Sequence, residues 1–102
     1  LIASYDRLHF KARADRPMRM SVQVRALGSD GLPRRRWHRS VYVDATERDY
    51  TVFFGDMAAS PETSPPTPPL GEVNAVMFVV DGVNATLGQP GEVVIRGTSL
   101  QR

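Results

Sequence analysis

Leu8-His-Phe-Lys-Ala-Arg-Ala14 and Met18-Arg-Met-Ser-Val-Gln-Val-Arg25 alternate apolar and polar residues without a break on either side of Asp15-Arg16-Pro17. A period of two belongs to a strand that gives one face to a core and the other to water; a helix would repeat every 3.6 residues. Leu8, Phe10, Ala12 and Ala14 therefore read as inward, with His9, Lys11, Arg13 and Asp15 outward. In the second segment Met18, Met20, Val22 and Val24 read as inward, with Arg19, Ser21, Gln23 and Arg25 outward. Pro17 stands at the start of its strand, where a missing ladder donor does least harm. The two segments are expected to be antiparallel neighbours around a tight turn at Asp15-Arg16-Pro17.

The same period returns downstream. After turn chemistry at Gly28-Ser29-Asp30-Gly31-Leu32-Pro33, Trp37, Arg39, Val41 and Val43 alternate with His38, Ser40, Tyr42 and Asp44. A fourth strand over about Asp49 to Phe54 puts Tyr50, Val52 and Phe54 on one face, and it stops at Gly55-Asp56. Residues 60–69 hold Pro61, Pro65, Pro66, Pro68 and Pro69, which cannot join a ladder or a helix interior, so this segment reads as an exposed loop inclined to polyproline II. Val73 to Asp81 is nearly continuous apolar and reads as a central strand covered on both sides, or as a short buried helix. Gly82 to Gly91 supplies turn residues, and Glu92 to Ser99 forms a last strand with Val93 and Ile95 inward and Arg96 outward. Six strands with regular turn signals, and no helix beyond a turn near Leu70-Gly71-Glu72, indicate an all-β antiparallel sandwich.

The 102 residues suit a single domain, and no apolar run approaches the roughly 18 residues of a transmembrane helix. No cysteine is present, which removes disulfides, thiolate nucleophiles and zinc–thiolate sites. The net charge is only +2, but Lys11 is the one lysine among the 13 Lys and Arg residues. That skew matches either a GC-rich genome or a surface that grips planar anions and sugar hydroxyls through the guanidinium fork. A chain opening at Leu1 is expected to be a piece of a longer protein.

Several stretches carry a resemblance: Phe10-x-Ala-Arg-Ala, Met18-x-Met-x-Val-x-Val-Arg, Trp37-x-x-Ser-Val-Tyr-Val-Asp, the Phe53-Phe54-Gly-Asp-Met stop, Phe78-Val-Val-Asp-Gly-Val-Asn-x-x-x-Gly and Gly91-Glu-Val-Val-Ile-Arg-Gly-Thr-Ser-Leu. Together, from about Leu8 to Leu100, they resemble the galactose-binding-like jelly roll. Within it they are most similar to carbohydrate-binding modules and to the complex-I-intermediate-associated-protein-like domains of bacterial multidomain proteins. The resemblance implies a two-sheet sandwich of about eight strands, with one or two expected before Leu1 unless this unit is a minimal version of the fold, a non-catalytic accessory role, and an extracytoplasmic or envelope setting.

Signatures of catalysis are sparse. His9 and His38 fall at outward positions of different strands, and Asp44, Asp56 and Asp81 lie at strand ends, where Asp closes turns. No G-x-S-x-G elbow, H-E-x-x-H helix, P-loop or dinucleotide-binding glycine pattern occurs. Domains of the resembled superfamily often hold calcium, but the oxygens of Asp81-Gly-Val-Asn84 and Glu92 do not make a dense acidic loop, so no metal or cofactor is expected. Asn84-Ala85-Thr86 matches a glycosylation sequon that the arginine-rich composition argues against. Arg34-Arg35-Arg36 beside Trp37 and His38 suggests nucleic acid, yet the acids scattered through the chain leave no stripe of one sign, and an acidic glycan or a neighbouring protein domain fits better.

A binding face is the stronger expectation. Outward residues of the second and third strands would stand side by side, joined by those of the first. Arg13, Gln23, Arg25, His38 and Tyr42 would supply hydrogen bonds and, in Tyr42, a ring on which a sugar's C–H face can stack. Trp37 offers a second ring, but its phase with Val41 and Val43 equally makes it a core residue. Carbohydrate binding is the leading expectation, and a structural or protein-interaction role in a larger envelope or membrane-associated protein is the alternative.

Overall fold

A computed structural model describes residues 4–26, 35–61, 63, 65–80 and 91–102. Its strands are β1 (Arg7–Ala14), β2 (Met18–Ala26), β3 (Arg35–Val43), β4 (Arg48–Phe53), β5 (Ala58–Ala59), β6 (Ala75–Val79) and β7 (Val93–Gln101). They form two antiparallel sheets, one in the order β4-β1-β7 and the other in the order β5-β3-β2-β6. The chain is an all-β, two-sheet sandwich, as its alternation requires. No described helix is long and apolar enough to cross a membrane.

The inward sets are those of the sequence pattern. Leu8, Phe10, Ala12 and Ala14 from β1 meet Met18, Met20, Val22 and Val24 from β2, with Trp37 and Val43 from β3 and Val52 from β4, all buried. Phe54, in the short 3-10 turn Phe54–Asp56 that ends β4, is buried as well. Phe10 joins the two layers: its ring stacks on Tyr50 of β4 at 5.3 Å and meets Phe78 of β6 edge-on at 5.1 Å. The Tyr50 hydroxyl donates to the Tyr42 carbonyl at 2.6 Å, tying β4 to the rim of β3 across the sandwich. Burial pushes the Tyr50 phenol pKa above its ordinary value.

β1 and β2 are not a hairpin. β1 pairs with β4 and β7, whereas β2 pairs with β3 and β6, so Asp15-Arg16-Pro17 is a corner that carries the chain from one sheet to the other. The backbone bonds Ala14 N–H to Asp44 C=O at 2.7 Å and Asp15 N–H to Glu92 C=O at 3.0 Å pin that corner. Among the described residues, the apolar stretch within Val73–Asp81 forms an edge strand in place of the expected central one: β6 has β2 as its one described partner. It is apolar on both faces for two different reasons: Val76 and Phe78 pack against the core, while Ala75, Met77 and Val79 continue the outer surface.

β7 needs a bulge. Ile95 and Leu100 both pack against the core although they are an odd number of residues apart, which a straight strand forbids. His9 pairs with Ser99 and Lys11 with Arg96, leaving Phe10 opposite both Gly97 and Thr98. The extra residue is absorbed at Gly97, whose φ is 61°. A Cβ there would meet nothing within 4 Å, so a substitution is opposed by backbone conformation alone. Gly97→Val is expected to cost about 1–2 kcal/mol, read as a lower urea midpoint at unchanged slope.

The proline-rich segment is exposed at Pro61 and at residues 65–67, but it is docked rather than free. Ser60 N–H donates to the Arg36 carbonyl at 3.0 Å, Arg36 N–H donates to Thr63 Oγ1 at 3.4 Å, and Pro68 is buried. Prolines lack a donor but keep their carbonyls, and Pro65 uses its own to accept from the Trp37 indole at 2.8 Å. The readings placed on Gly28–Pro33, Arg34 and Asp81–Pro90, including the Asp81–Asn84 turn and the Asn84 sequon, lie outside the described residues.

Candidate functional site

The outer face of the four-stranded sheet follows from strand register. Residues directly opposite in an antiparallel pair project to the same side. Arg19 faces Tyr42, Ser21 faces Ser40, Gln23 faces His38 and Arg25 faces Arg36. On the other side of β2, Val79, Met77 and Ala75 extend the Ser21, Gln23 and Arg25 rows. The face is thus a set of cross-strand rows, about 20 Å from the Arg19–Tyr42 row to the Arg25–Arg36 row at the strand rise of about 3.4 Å per residue.

Gln23 organises the middle of this face. Its Nε2 donates to Ser21 Oγ at 3.2 Å, and its Oε1 accepts from an Arg25 guanidinium nitrogen at 2.9 Å. An amide carries two N–H groups and two acceptor lone pairs, and a hydroxyl is both donor and acceptor, so this Arg25–Gln23–Ser21 relay fixes side-chain orientation while keeping capacity toward a ligand. Across the strand, His38 Nδ1 lies 3.1 Å from the hydroxyl of the buried Ser60, which orients the ring. Tyr42 stands at the far end with 52% of its surface exposed. Its carbonyl, held by Tyr50, anchors the backbone beneath the ring.

Two residues expected on this surface are elsewhere. Trp37 is inward, opposite Val24, fully buried, with its indole N–H engaged by Pro65, so no ring face is available to a sugar. Arg13 lies on β1 in the other sheet and points to the opposite side of the sandwich, 3.8 Å from Glu92. His9 and Lys11 go with it, because β1 and β2 do not share a sheet. Gln23, Arg25, His38 and Tyr42 remain together on one face. Arg36 and Met77 join them; the alternation through Trp37 already places Arg36 outward, whereas the position of Met77 depends on the pairing of β6 with β2.

The two outer faces differ in charge. On the three-stranded sheet, Arg96 holds Glu47 through two bonds of 2.7 and 2.6 Å, His9 Nε2 lies 3.2 Å from Asp49, and Arg13 pairs with Glu92. Arg96 holds the Glu47 carboxyl below the usual carboxylate range, and Arg48 together with the Thr46 N–H does the same for Asp44. Among the described side-chain carboxylates, those of Asp6, Asp15, Asp44, Glu47, Glu72 and Glu92 pair with an arginine, and that of Asp49 lies against the His9 imidazole. The rows of the four-stranded sheet's outer face contain Arg19, Arg25 and Arg36 and no described acid.

No known family model, curated protein or solved structure matches the chain. The face offers amide, hydroxyl, imidazole and guanidinium groups in a shallow array, one exposed aromatic ring and an apolar border at Met77 and Val79. Among the described residues no group of three or more His, Asp or Glu side chains is placed to hold a metal ion. Such an array suits recognition of a polyhydroxylated ligand lying across strands, through hydrogen bonds to its hydroxyls and stacking of its C–H face.

Proposed function

We propose that this chain is a non-catalytic carbohydrate-binding-like accessory module whose ligand surface is the outer face of the four-stranded sheet. The observation that carries the reading is the exposed Tyr42 ring on the same face as the pre-oriented Arg25–Gln23–Ser21 relay. Tyr42 provides the stacking platform, and Gln23, Arg25 and His38 provide the hydrogen bonds. The resemblance to the galactose-binding-like jelly roll points the same way.

Tyr42→Ala should weaken binding to a polysaccharide at least tenfold in isothermal titration or affinity electrophoresis. Its thermal midpoint should stay near that of the parent, because about half of the ring is in water and the carbonyl that Tyr50 uses is retained. Saturable binding to no polysaccharide, or binding indifferent to Tyr42→Ala, would count against the reading. An interaction module is the second reading, favoured by Met77 in the apolar outer row of β6, 38% exposed, and by Val80 just past the end of the strand, 39% exposed. That reading predicts that Met77→Glu abolishes capture of a neighbouring protein domain while Tyr42→Ala leaves it intact.

A further inference from the structure

Arg25 and Arg36 occupy directly opposed positions on β2 and β3, on the same outer face, where like charges disfavour the pairing. No described carboxylate lies within ion-pair distance of either, in contrast to the arginines of the opposite face. Arg25 is held by Gln23, and its Nε is buried with no hydrogen-bond partner. Arg36 is fixed at the backbone, its N–H donating to Thr63 Oγ1 and its carbonyl accepting from Ser60. Two guanidinium groups of like charge on directly opposed positions, that of Arg25 held by Gln23, offer paired donors to an oxyanion.

Resting on the reading of this face as the carbohydrate surface, we infer that the Arg25–Arg36 pair is an oxyanion subsite that selects acidic polysaccharides through a carboxylate or sulfate group. The anion would neutralise the mutual repulsion of the pair. Tyr42 lies about 20 Å away along the strands, so the ligand that spans both ends is an oligosaccharide and not a single sugar. The neighbouring Arg35 does not belong to this subsite: it lies 5.6 Å over the Trp37 ring and pairs with Glu72 at 3.2 Å.

Titration of the full chain with polygalacturonate, with its methyl-esterified form and with heparin tests this at low salt. The wild type should bind polygalacturonate or heparin at least tenfold more tightly than the ester, with the preference shrinking as salt is added. Arg36→Glu should remove that preference while the thermal midpoint is held or raised, since a repelling pair becomes an attracting one. Arg36→Gln serves as a second variant and should also reduce the preference. Equal, Tyr42-dependent binding to the charged and esterified polymers would overturn the subsite and leave the carbohydrate face standing. No saturable binding to any polysaccharide would overturn both, and tighter binding to single-stranded oligothymidylate than to either acidic polysaccharide would overturn the glycan assignment.

Discussion

Trp37→Ala should unfold the domain or leave it at the edge of unfolding. Truncating a fully buried tryptophan costs about 3–5 kcal/mol through lost burial and the cavity left behind. A domain of this length has about 5–15 kcal/mol in total. The indole also donates to the Pro65 carbonyl, so its removal takes away one of the contacts that dock the proline-rich segment. Trp37→Phe refills much of the space without restoring the donor and should cost less than the alanine change. Because Trp37 faces the core, Trp37→Phe should bind polysaccharide as the parent does, and a selective loss of binding in that variant would show that the ring serves the ligand after all.

Phe10→Ala should be comparably damaging, again about 3–5 kcal/mol. Phe10 lies on β1, the central strand of the three-stranded sheet, and touches Tyr50 from its own sheet and Phe78 from the other. Its loss opens a cavity where the two layers meet and removes two aromatic contacts, each worth about 0.5–1.5 kcal/mol beyond burial. Phe10→Leu keeps most of the buried area and loses the ring geometry, so its cost should fall between zero and that of Phe10→Ala. Urea unfolding of the three proteins tests the order, and equal stability of all three would contradict a core centred on this ring.

The orientation of most side chains was legible in the sequence because alternation reports inside and outside directly. Met18–Val24 and Trp37–Val43 carry their facing in their spelling, and Trp37 in phase with Val41 and Val43 is indeed a core residue. Alternation does not report which strands are neighbours. Asp15-Arg16-Pro17 serves a hairpin or a corner between sheets equally well, and the choice fell to packing among distant elements, which separated Arg13 from Gln23 and Arg25.

Some features left signals that are plain once the register is known. The odd separation of Ile95 and Leu100 with Gly97 between them marks the bulge. The Trp37 indole requires an acceptor, but nothing local shows that it comes from Pro65, 28 residues away. In the same way Arg36 is outward by pattern, while its opposition to Arg25 depends on the register of the β2–β3 pair. A nearly continuous apolar run such as that around β6 reads as buried on both sides, yet an edge strand with an apolar outer row produces the same composition.

Ligand is expected to meet the outer face of the four-stranded sheet. Titrating labelled protein with oligogalacturonate and following backbone amide resonances tests it most directly. Saturable shifts should concentrate at Ser21, Gln23, Arg25, Arg36, His38, Ser40 and Tyr42, with Lys11, Arg13, Asp49 and Arg96 on the opposite face unmoved. Shifts centred on β1, β4 and β7, or no saturable shift with any acidic or neutral oligosaccharide, would contradict it.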